Sequence, residues 1–190
     1  MPRTLEVVAA EASTCTRCNL ADQGRTQVVF GSGDPDADLL FIGEGPGAEE
    51  DRQGLPFVGR SGKLLDRLLA EELGMDRSEC YIANVVKCRP PGNRDPRPDE
   101  IEACRPWLAA QLELIRPTVV ISLGRFAAQW LLDTTEGITK LRGRTYPYGD
   151  AVLIPTLHPA AALRGGGAPL AQMRADFVRA KQILGEAGRS

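Results

Sequence analysis

Two segments of the chain carry side chains that could do chemistry, although they lie far apart in sequence. Residues 43–51 read Gly-Glu-Gly-Pro-Gly-Ala-Glu-Glu-Asp, and residues 158–161 read His-Pro-Ala-Ala and hold the sole histidine. Each segment follows an apolar run of the kind that forms a buried strand. Open α/β sheets bind ligands at the carboxyl ends of their strands, so we expect both segments at one edge of one sheet. Carboxylates, backbone amides and an imidazole would meet there around a ligand.

Four of the five cysteines could form a metal site. Cys15 and Cys18 are a C-x-x-C pair ahead of the first predicted strand, and Cys88 and Cys104 flank the loop after the second strand. Two thiolate pairs suit either zinc or an iron–sulfur cluster, and the ligand type alone does not separate these metals. Such a site would tie the N-terminal segment, residues 1–30, to the rest of the protein. A scattered set of structural thiols is the alternative.

Apolar patterns predict the elements that position these groups. Short apolar runs predict four β-strands, over residues 38–42, 80–86, 118–123 and 151–155. Helical periodicity predicts four helices between and after them, over residues 61–72, 98–115, 124–132 and 170–184. Within the second helix, Pro106 should cause a kink or a break. Strands that alternate with helices predict a three-layer α/β/α fold around a four-stranded parallel sheet.

Length and composition limit the remaining possibilities. The 190 residues fit a single domain spanning residues 1–190. With 23 Lys+Arg against 25 Asp+Glu, a nucleic-acid partner would have to be met by a local basic patch. The apolar runs are too short to cross a membrane, and the N-terminus lacks the apolar core of a secretory signal. We therefore expect a cytoplasmic protein, in which cysteines serve as ligands or free thiols.

Together these segments resemble the family 4 uracil-DNA glycosylases, the iron–sulfur branch of the uracil-DNA glycosylase superfamily. The similarity rests on six stretches in the family's order: Cys15-x-x-Cys18, residues 43–51, Gly54-Leu-Pro-Phe-Val-Gly59, Asn84-Val-Val-Lys-Cys-Arg-Pro-Pro91, Cys104-Arg-Pro-Trp107 and His158-Pro-Ala-Ala161. The resemblance implies a monomeric enzyme that removes uracil from single- or double-stranded DNA, releases free uracil and so initiates base excision repair. It also implies a largely structural 4Fe–4S cluster on Cys15, Cys18, Cys88 and Cys104.

Three residues are expected to surround an extruded uracil. His158 would donate to the carbonyl O2, where negative charge gathers as the base departs. The Asn84 amide would accept from N3–H and donate to O4, which rejects cytosine because cytosine presents the opposite polarity at both positions. Phe57 resembles the family's aromatic residue that stacks on the base. The simpler alternatives are an N-cap histidine, an amide that caps backbone and a core phenylalanine.

The acidic segment supplies further candidates. The resemblance implies that Glu44 and Gly45 line the uracil pocket, with Glu44 among the catalytic residues. Glu50 is the carboxylate expected either to crowd uracil C5 against the methyl group of thymine or to order water. Glu49 and Asp51 are read as solvated loop charges. Negative charge at a helix N-terminus is the alternative explanation for the whole run.

DNA must be held by a few local contacts despite the net charge of −2. Arg60, Ser61 and Lys63 open a predicted helix, where amides and cations could bind phosphates. Leu163 or Arg164 is expected to fill the gap left by the flipped base, since alanines stand where many relatives place a bulky residue.

Three other mechanisms or functions remain open from the residues alone. Lys87 adjoins the pocket strand and raises a Schiff-base alternative to hydrolysis by water. A redox-responsive DNA-binding module would use the cluster as a sensor and need no catalysis. An enzyme acting on a free nucleotide would use residues 43–47 for phosphate, although these lack the Gly-Lys-Ser/Thr ending of a P-loop.

Overall fold

The computed structural model describes residues 3–188; residues 1–2 and 189–190 of the predicted domain lie outside the described residues. Within this range one mixed sheet contains six strands in the spatial order β1-β3-β2-β4-β6-β5. The strands are β1 (Ser32–Gly33), β2 (Leu39–Gly43), β3 (Tyr81–Asn84), β4 (Val119–Leu123), β5 (Tyr146–Tyr148) and β6 (Ala151–Thr156). The four central strands β3, β2, β4 and β6 run parallel, as predicted.

The prediction of only four strands is wrong, because two short edge strands complete the sheet. Strand β1 pairs antiparallel with β3, and β5 pairs antiparallel with β6. Both edge strands are too short to show a period, and the second contains Pro147, a residue that sheets tolerate at their edges. The predicted strand 80–86 ends at Asn84, although the Val85 amide still donates to Gly43 at the end of β2 and the Val86 amide donates to Glu44 just after it.

The described chain contains eight α-helices: α1 (Leu5–Ser13), α2 (Ala48–Gln53), α3 (Arg60–Leu68), α4 (Pro98–Ile115), α5 (Arg125–Leu132), α6 (Ile138–Leu141), α7 (Pro159–Gly165) and α8 (Gly167–Ala187). Successive residues of β2 point to opposite faces. Leu40 and Ile42 therefore pack in one core with α1, α4 and α5, while Leu39 and Phe41 pack in the other with α3, α7 and α8. This is the predicted three-layer α/β/α architecture.

Two helices differ from their predictions. Helix α4 runs without interruption through Pro106, so the predicted break there is wrong. The packing of Trp107 and Leu108 in the core holds the helix across the missing backbone donor. The predicted helix 61–72 is α3 followed by a π-helical turn, Leu69–Leu73. No helix of the described chain has both the length and the apolar character needed to cross a membrane.

The N-terminal segment is attached to the domain by contacts that need no metal. Helix α1 buries Leu5, Val8 and Ala12 in the core shared with α4. Farther along, the backbone amide of Thr26 donates to both carboxylate oxygens of Asp51, at 2.9 and 3.0 Å. Asp51 is only 3 % exposed, so its predicted place in solvent is wrong.

Candidate active site and thiol cavity

An open cleft of about 610 Å³ lies at the carboxyl ends of the parallel strands. Its walls come from the loops after β2, β3 and β6 and from the start of α3. The acidic segment and His158 both line it, so the predicted meeting of these two segments at one sheet edge is confirmed.

The end of β3 brings the Asn84 amide close to the Phe57 ring. Asn84 pairs with Gly43 at the end of β2. A Cβ atom on Gly43 would lie 2.5 Å from Asn84 Oδ1 and 2.5 Å from Phe57 Cζ, so only glycine allows this approach. Asn84 is 1 % exposed, and its Oδ1 finds no hydrogen-bond partner among residues 3–188. An unpaired buried acceptor costs roughly 1–3 kcal/mol, which makes this atom a natural partner for an N–H group of a ligand.

The His158 ring lies beside Phe57 and is held as a hydrogen-bond donor. The two ring centroids are 5.7 Å apart at an interplanar angle of 30°. His158 is the N-cap of α7, and its Nδ1 accepts from the Ala160 amide at 3.1 Å. Because Nδ1 accepts this hydrogen bond, the proton of the neutral ring lies on Nε2. His158 can therefore cap the helix through Nδ1 and still donate to a ligand through Nε2, as predicted.

Burial keeps the His158 imidazole neutral. It lowers the pKa from 6.5 to about 4, with a further lowering by the charge of Arg164 and an opposing effect of Glu50. A neutral ring with its proton on Nε2 can donate one hydrogen bond at this nitrogen. It can do so throughout the neutral pH range.

Glu44 and Gly45 both line the cleft directly after β2. Partial burial raises the pKa of the Glu44 carboxyl, and the charge of Asp95 raises it further, while Arg125 opposes the shift. A carboxyl group of raised pKa beside a reaction centre is a candidate for proton transfer or for holding water.

The Glu50 carboxylate also lines the cleft, but its oxygens are occupied by backbone. Oε1 accepts from the amides of Val58 and Gly59, both at 2.9 Å, and Oε2 accepts from the Gly47 amide at 3.2 Å. Glu50 thus joins the start of α2 to the loop that carries Phe57. Its action on the base or on water stays a prediction.

The predicted DNA contacts divide into two groups. Arg60, Ser61 and Arg164 line the cleft, the first two at the start of α3 and the third on α7. Lys63 and Leu163 are exposed but lie outside the cleft lining, with Leu163 42 % exposed. An apolar side chain so exposed beside a charged cleft is available to enter a base stack.

Lys87 points away from the cleft. Its Nζ is buried, and it donates to the Asn84 carbonyl oxygen at 2.8 Å and to Gln111 Oε1 at 2.5 Å. Burial lowers the pKa of this ammonium group to about 8. Lys87 lines the thiol cavity instead, so the geometry gives no support to a Schiff base at the cleft.

The four predicted ligand cysteines line one small cavity between the N-terminal segment and α4. Three of their sulfurs accept hydrogen bonds: Cys88 Sγ from Arg25 Nη1 at 3.0 Å, Cys104 Sγ from the Lys87 amide at 3.2 Å and Cys15 Sγ from Trp107 Nε1 at 3.4 Å. Burial raises the pKa of the thiols of Cys18 and Cys88, and that of Cys104 to about 11. Metal binding would therefore release protons.

The cysteines line this cavity without forming a tight group of metal ligands. Within residues 3–188, no group of three or more His, Cys, Asp or Glu side chains is close enough to hold a single metal ion. A tetrahedral zinc site needs every sulfur about 2.3 Å from the same point.

Two residues that contact the candidate sites were missed from the sequence. Arg25 donates to Cys88 Sγ and to the Cys15 carbonyl oxygen, and a basic residue shortly after a C-x-x-C pair was the available signal. Arg77 donates to the carbonyl oxygens of Pro56 and Phe57. No local pattern marks Arg77, because its partners lie about twenty residues away.

The chain was compared with known proteins. A family model for the uracil DNA glycosylase superfamily matches residues 30–182. The chain is 45% identical over 189 residues to the type-4 uracil-DNA glycosylase of Saccharolobus solfataricus, covering 95% of this chain and 86% of that protein. It is 44% identical over 187 residues to the type-4 enzyme of Thermotoga maritima, covering 97% and 96%. It is also 44% identical over 168 residues to the type-4 enzyme of Sulfurisphaera tokodaii, covering 84% and 76%. The chain belongs to the uracil-DNA glycosylase superfamily and, within it, to the type-4 enzymes.

Proposed function

We propose that this protein is a monofunctional uracil-DNA glycosylase, which hydrolyses the N-glycosidic bond of uracil in DNA and leaves an abasic site for base excision repair. Membership of the type-4 enzymes supports the reaction. The observation that carries it is the proximity of three groups: Phe57 and His158 line the cleft with their rings side by side, and the unpaired Asn84 Oδ1 is buried next to the Phe57 ring. The target bond is hidden in a stacked duplex, so the nucleotide must first be flipped into the cleft.

Asn84 and Phe57 select the base in this proposal. Uracil offers an N–H donor at N3 and a carbonyl acceptor at O4, which match the two ends of the Asn84 amide. Cytosine reverses both positions and would leave buried groups unpaired, a large penalty for a site built around hydrogen bonds. The Phe57 ring supplies a face on which the base stacks.

His158 and Glu44 act on the bond in this proposal. As the C1′–N1 bond breaks, its electron pair stays on the uracil ring and negative charge gathers at O2, where His158 Nε2–H donates. Prearranged donors of this kind stabilise developing charge without reorganisation. Water adds to C1′, and the partly buried Glu44 carboxylate holds that water and accepts its proton. The products are an abasic deoxyribose and the uracil anion, which takes up a proton to give free uracil.

We also propose that Cys15, Cys18, Cys88 and Cys104 hold a 4Fe–4S cluster. The four cysteines line one cavity and three of their sulfurs accept N–H donors, as a thiolate metal site requires, and the resemblance to the iron–sulfur branch of the superfamily favours a cluster over a zinc ion. The cluster would join the N-terminal segment to the loop before α4, part of which lines the cleft. Together with the packing of α1, it would make the whole chain one glycosylase domain.

The same proposal assigns the DNA contacts to residues in and beside the cleft. Arg60, Ser61 and Arg164 bind phosphates, Lys63 adds a charge beside them, and Leu163 enters the gap left by the flipped base. Binding through phosphates weakens steeply as the salt concentration rises. The five unpaired cysteines are compatible with a reducing cytoplasm, where we place the enzyme as a monomer.

The test uses matched oligonucleotides that carry uracil, thymine or cytosine at one position, in single- and double-stranded form. We expect free uracil and alkali-labile sites from the uracil substrates alone. Borohydride should trap no covalent complex, because no Schiff base forms. His158→Gln serves as the matched variant: it should bind the same DNA and release uracil far more slowly. The proposal would be refuted by a protein that shows intact visible cluster absorbance and yet leaves every uracil substrate unbroken after alkali treatment.

A further inference from the structure

The loop that presents Phe57 to the cleft has a constrained backbone. Phe57 has a φ of 50°, in the left-handed region that side chains other than glycine rarely adopt. The loop also sits directly on α3, where a Cβ atom on Gly62 would lie 1.8 Å from the Phe57 carbonyl oxygen. A conformation of this kind persists only where neighbouring groups hold it. On the amide side, the Glu50 carboxylate binds Val58 and Gly59.

The carbonyl side of the loop is held by Arg77. This residue begins a short 3-10 turn, Arg77–Glu79, before β3. Its Nη1 donates to the Phe57 carbonyl oxygen and its Nη2 to the Pro56 carbonyl oxygen, both at 2.8 Å. The planar fork of a guanidinium matches two adjacent acceptors in a way that the single ammonium of lysine cannot. Arg77 Nε also lies 3.4 Å from Asp66 Oδ1.

We propose that Arg77 is a positioning residue for uracil excision, because its guanidinium holds the Phe57 backbone in the conformation that places the ring against the base. The inference rests on the stacking role of Phe57 proposed above. With Arg77 in place, the Phe57 ring stays 5.7 Å from the His158 ring and beside the Asn84 amide. Without it, the loop can relax to an ordinary backbone conformation and carry the ring away.

The surroundings of Arg77 set what its loss costs in stability. The Arg77 side chain is 31% exposed, but Pro56 and Phe57, whose carbonyl groups it binds, are both buried. Loss of Arg77 leaves these acceptors unpaired and should lower the melting temperature as well as the rate of uracil release. Rates measured well below the melting temperature of every variant therefore separate the positioning role from this loss of stability.

A double-mutant cycle tests the inference. The variants are Arg77→Met, Phe57→Ala and the two combined, assayed by single-turnover release of uracil from one oligonucleotide. Phe57→Ala should slow release roughly 5- to 150-fold, the range expected for loss of one stacked base. Arg77→Met should slow release about 5-fold or more within that range. Because both act through the same ring, the combined variant should match Phe57→Ala within about twofold.

Two controls distinguish the positioning of Phe57 from loss of charge. Arg67→Met removes an exposed cation that contacts Glu71 on the same helix, and Asp66→Asn removes the ion pair but keeps both carbonyl contacts of Arg77. Both should release uracil at nearly the wild-type rate. Arg77→Lys keeps a donor near the loop and should give an intermediate rate, which supplies the measurement if Arg77→Met folds poorly.

Several outcomes would overturn the inference. If the rate losses of the two single variants multiply in the combined variant, Arg77 does not act through Phe57. A wild-type rate for both Arg77→Met and Arg77→Lys would show the same. A wild-type rate for Phe57→Ala would refute the stacking role and the inference with it. Absence of uracil release from the wild-type protein would instead refute the proposed function, so the failures are distinguishable.

Discussion

The ionisation of His158 can be followed directly, because it is the only histidine in the chain. Burial and the charge of Arg164 lower its pKa from 6.5 to about 4, against the opposing effect of Glu50. The Ala160 amide donates to Nδ1 and so favours a proton on Nε2. Lowering the pH from about 8 to about 5 should therefore leave the ring neutral, whereas an ordinary histidine would become protonated in this range.

The lowered pKa of His158 gives the free energy by which the folded state favours the neutral ring. A pKa lowered from 6.5 to about 4 corresponds to about 3 kcal/mol in favour of the neutral ring in the folded state. Between these two pH values, the unfolded chain binds more protons at this residue than the folded one does. The stabilising contribution of His158 is thus fully present above about pH 6.5 and is lost as the pH falls through about 4.

Nuclear magnetic resonance of histidine labelled with ¹⁵N in the ring gives the measurement. We expect a single imidazole, protonated on Nε2, whose titration midpoint lies below about pH 5. Arg164→Gln should raise that midpoint because it removes a charge that opposes protonation. Arg67→Gln is the matched control, since it removes a cation bound to Glu71 and should leave the midpoint unchanged.

The stability consequence provides a second, independent check. In urea unfolding, the free energy of unfolding of the wild type should fall between about pH 7 and about pH 5 more than that of His158→Gln does. A midpoint close to 6.5, or a ring protonated on Nδ1, would refute the conclusion that a neutral Nε2 donor faces the base.

Three further predictions concern the base-reading amide, the thiol cavity and the N-terminal segment. Asn84→Leu should slow uracil release about 100-fold without lowering the melting temperature, because it removes an amide with a buried unpaired oxygen. A melting temperature that falls together with the rate would contradict this prediction. Arg25→Met should shift the reduction potential of the proposed cluster to a more negative value in voltammetry, because a cationic donor to Cys88 is lost; an unchanged potential would contradict it. Asp51→Ala should lower the free energy of unfolding by about 1–3 kcal/mol, measured with urea, because the Thr26 amide loses its acceptor; a surface-like change near zero would contradict it.

The central strands could be predicted because each is buried on both faces. A parallel strand covered by helices is apolar at most of its positions, and such runs stand out in a sequence. The edge strands β1 and β5 are two and three residues long, so nothing periodic marks them. Asp51 was placed in solvent because a charge in an acidic run usually lies there, whereas backbone amides distant in sequence bury it.

The residue types of the candidate site and its place at the sheet edge could be predicted, but its atomic contacts could not. The order of the motifs identified Asn84, Phe57 and His158, since their spacing along the chain is characteristic of the family. Arg77 could not be found in this way, because a single exposed arginine carries no sign of the two carbonyl groups that it binds.

The amino-acid sequence by itself determined the layer architecture, the four thiols and the identity of the groups expected around the base, because apolar periodicity and motif spacing are local properties. Only the tertiary structure decided which atoms are left unpaired, which nitrogen of His158 carries the proton and which carboxylate is occupied by backbone. The Asn84 oxygen is buried by strands and loops distant along the chain. His158 and Glu50 contact amides two to nine residues away, and these groups are aligned only once the sheet and its loops have packed.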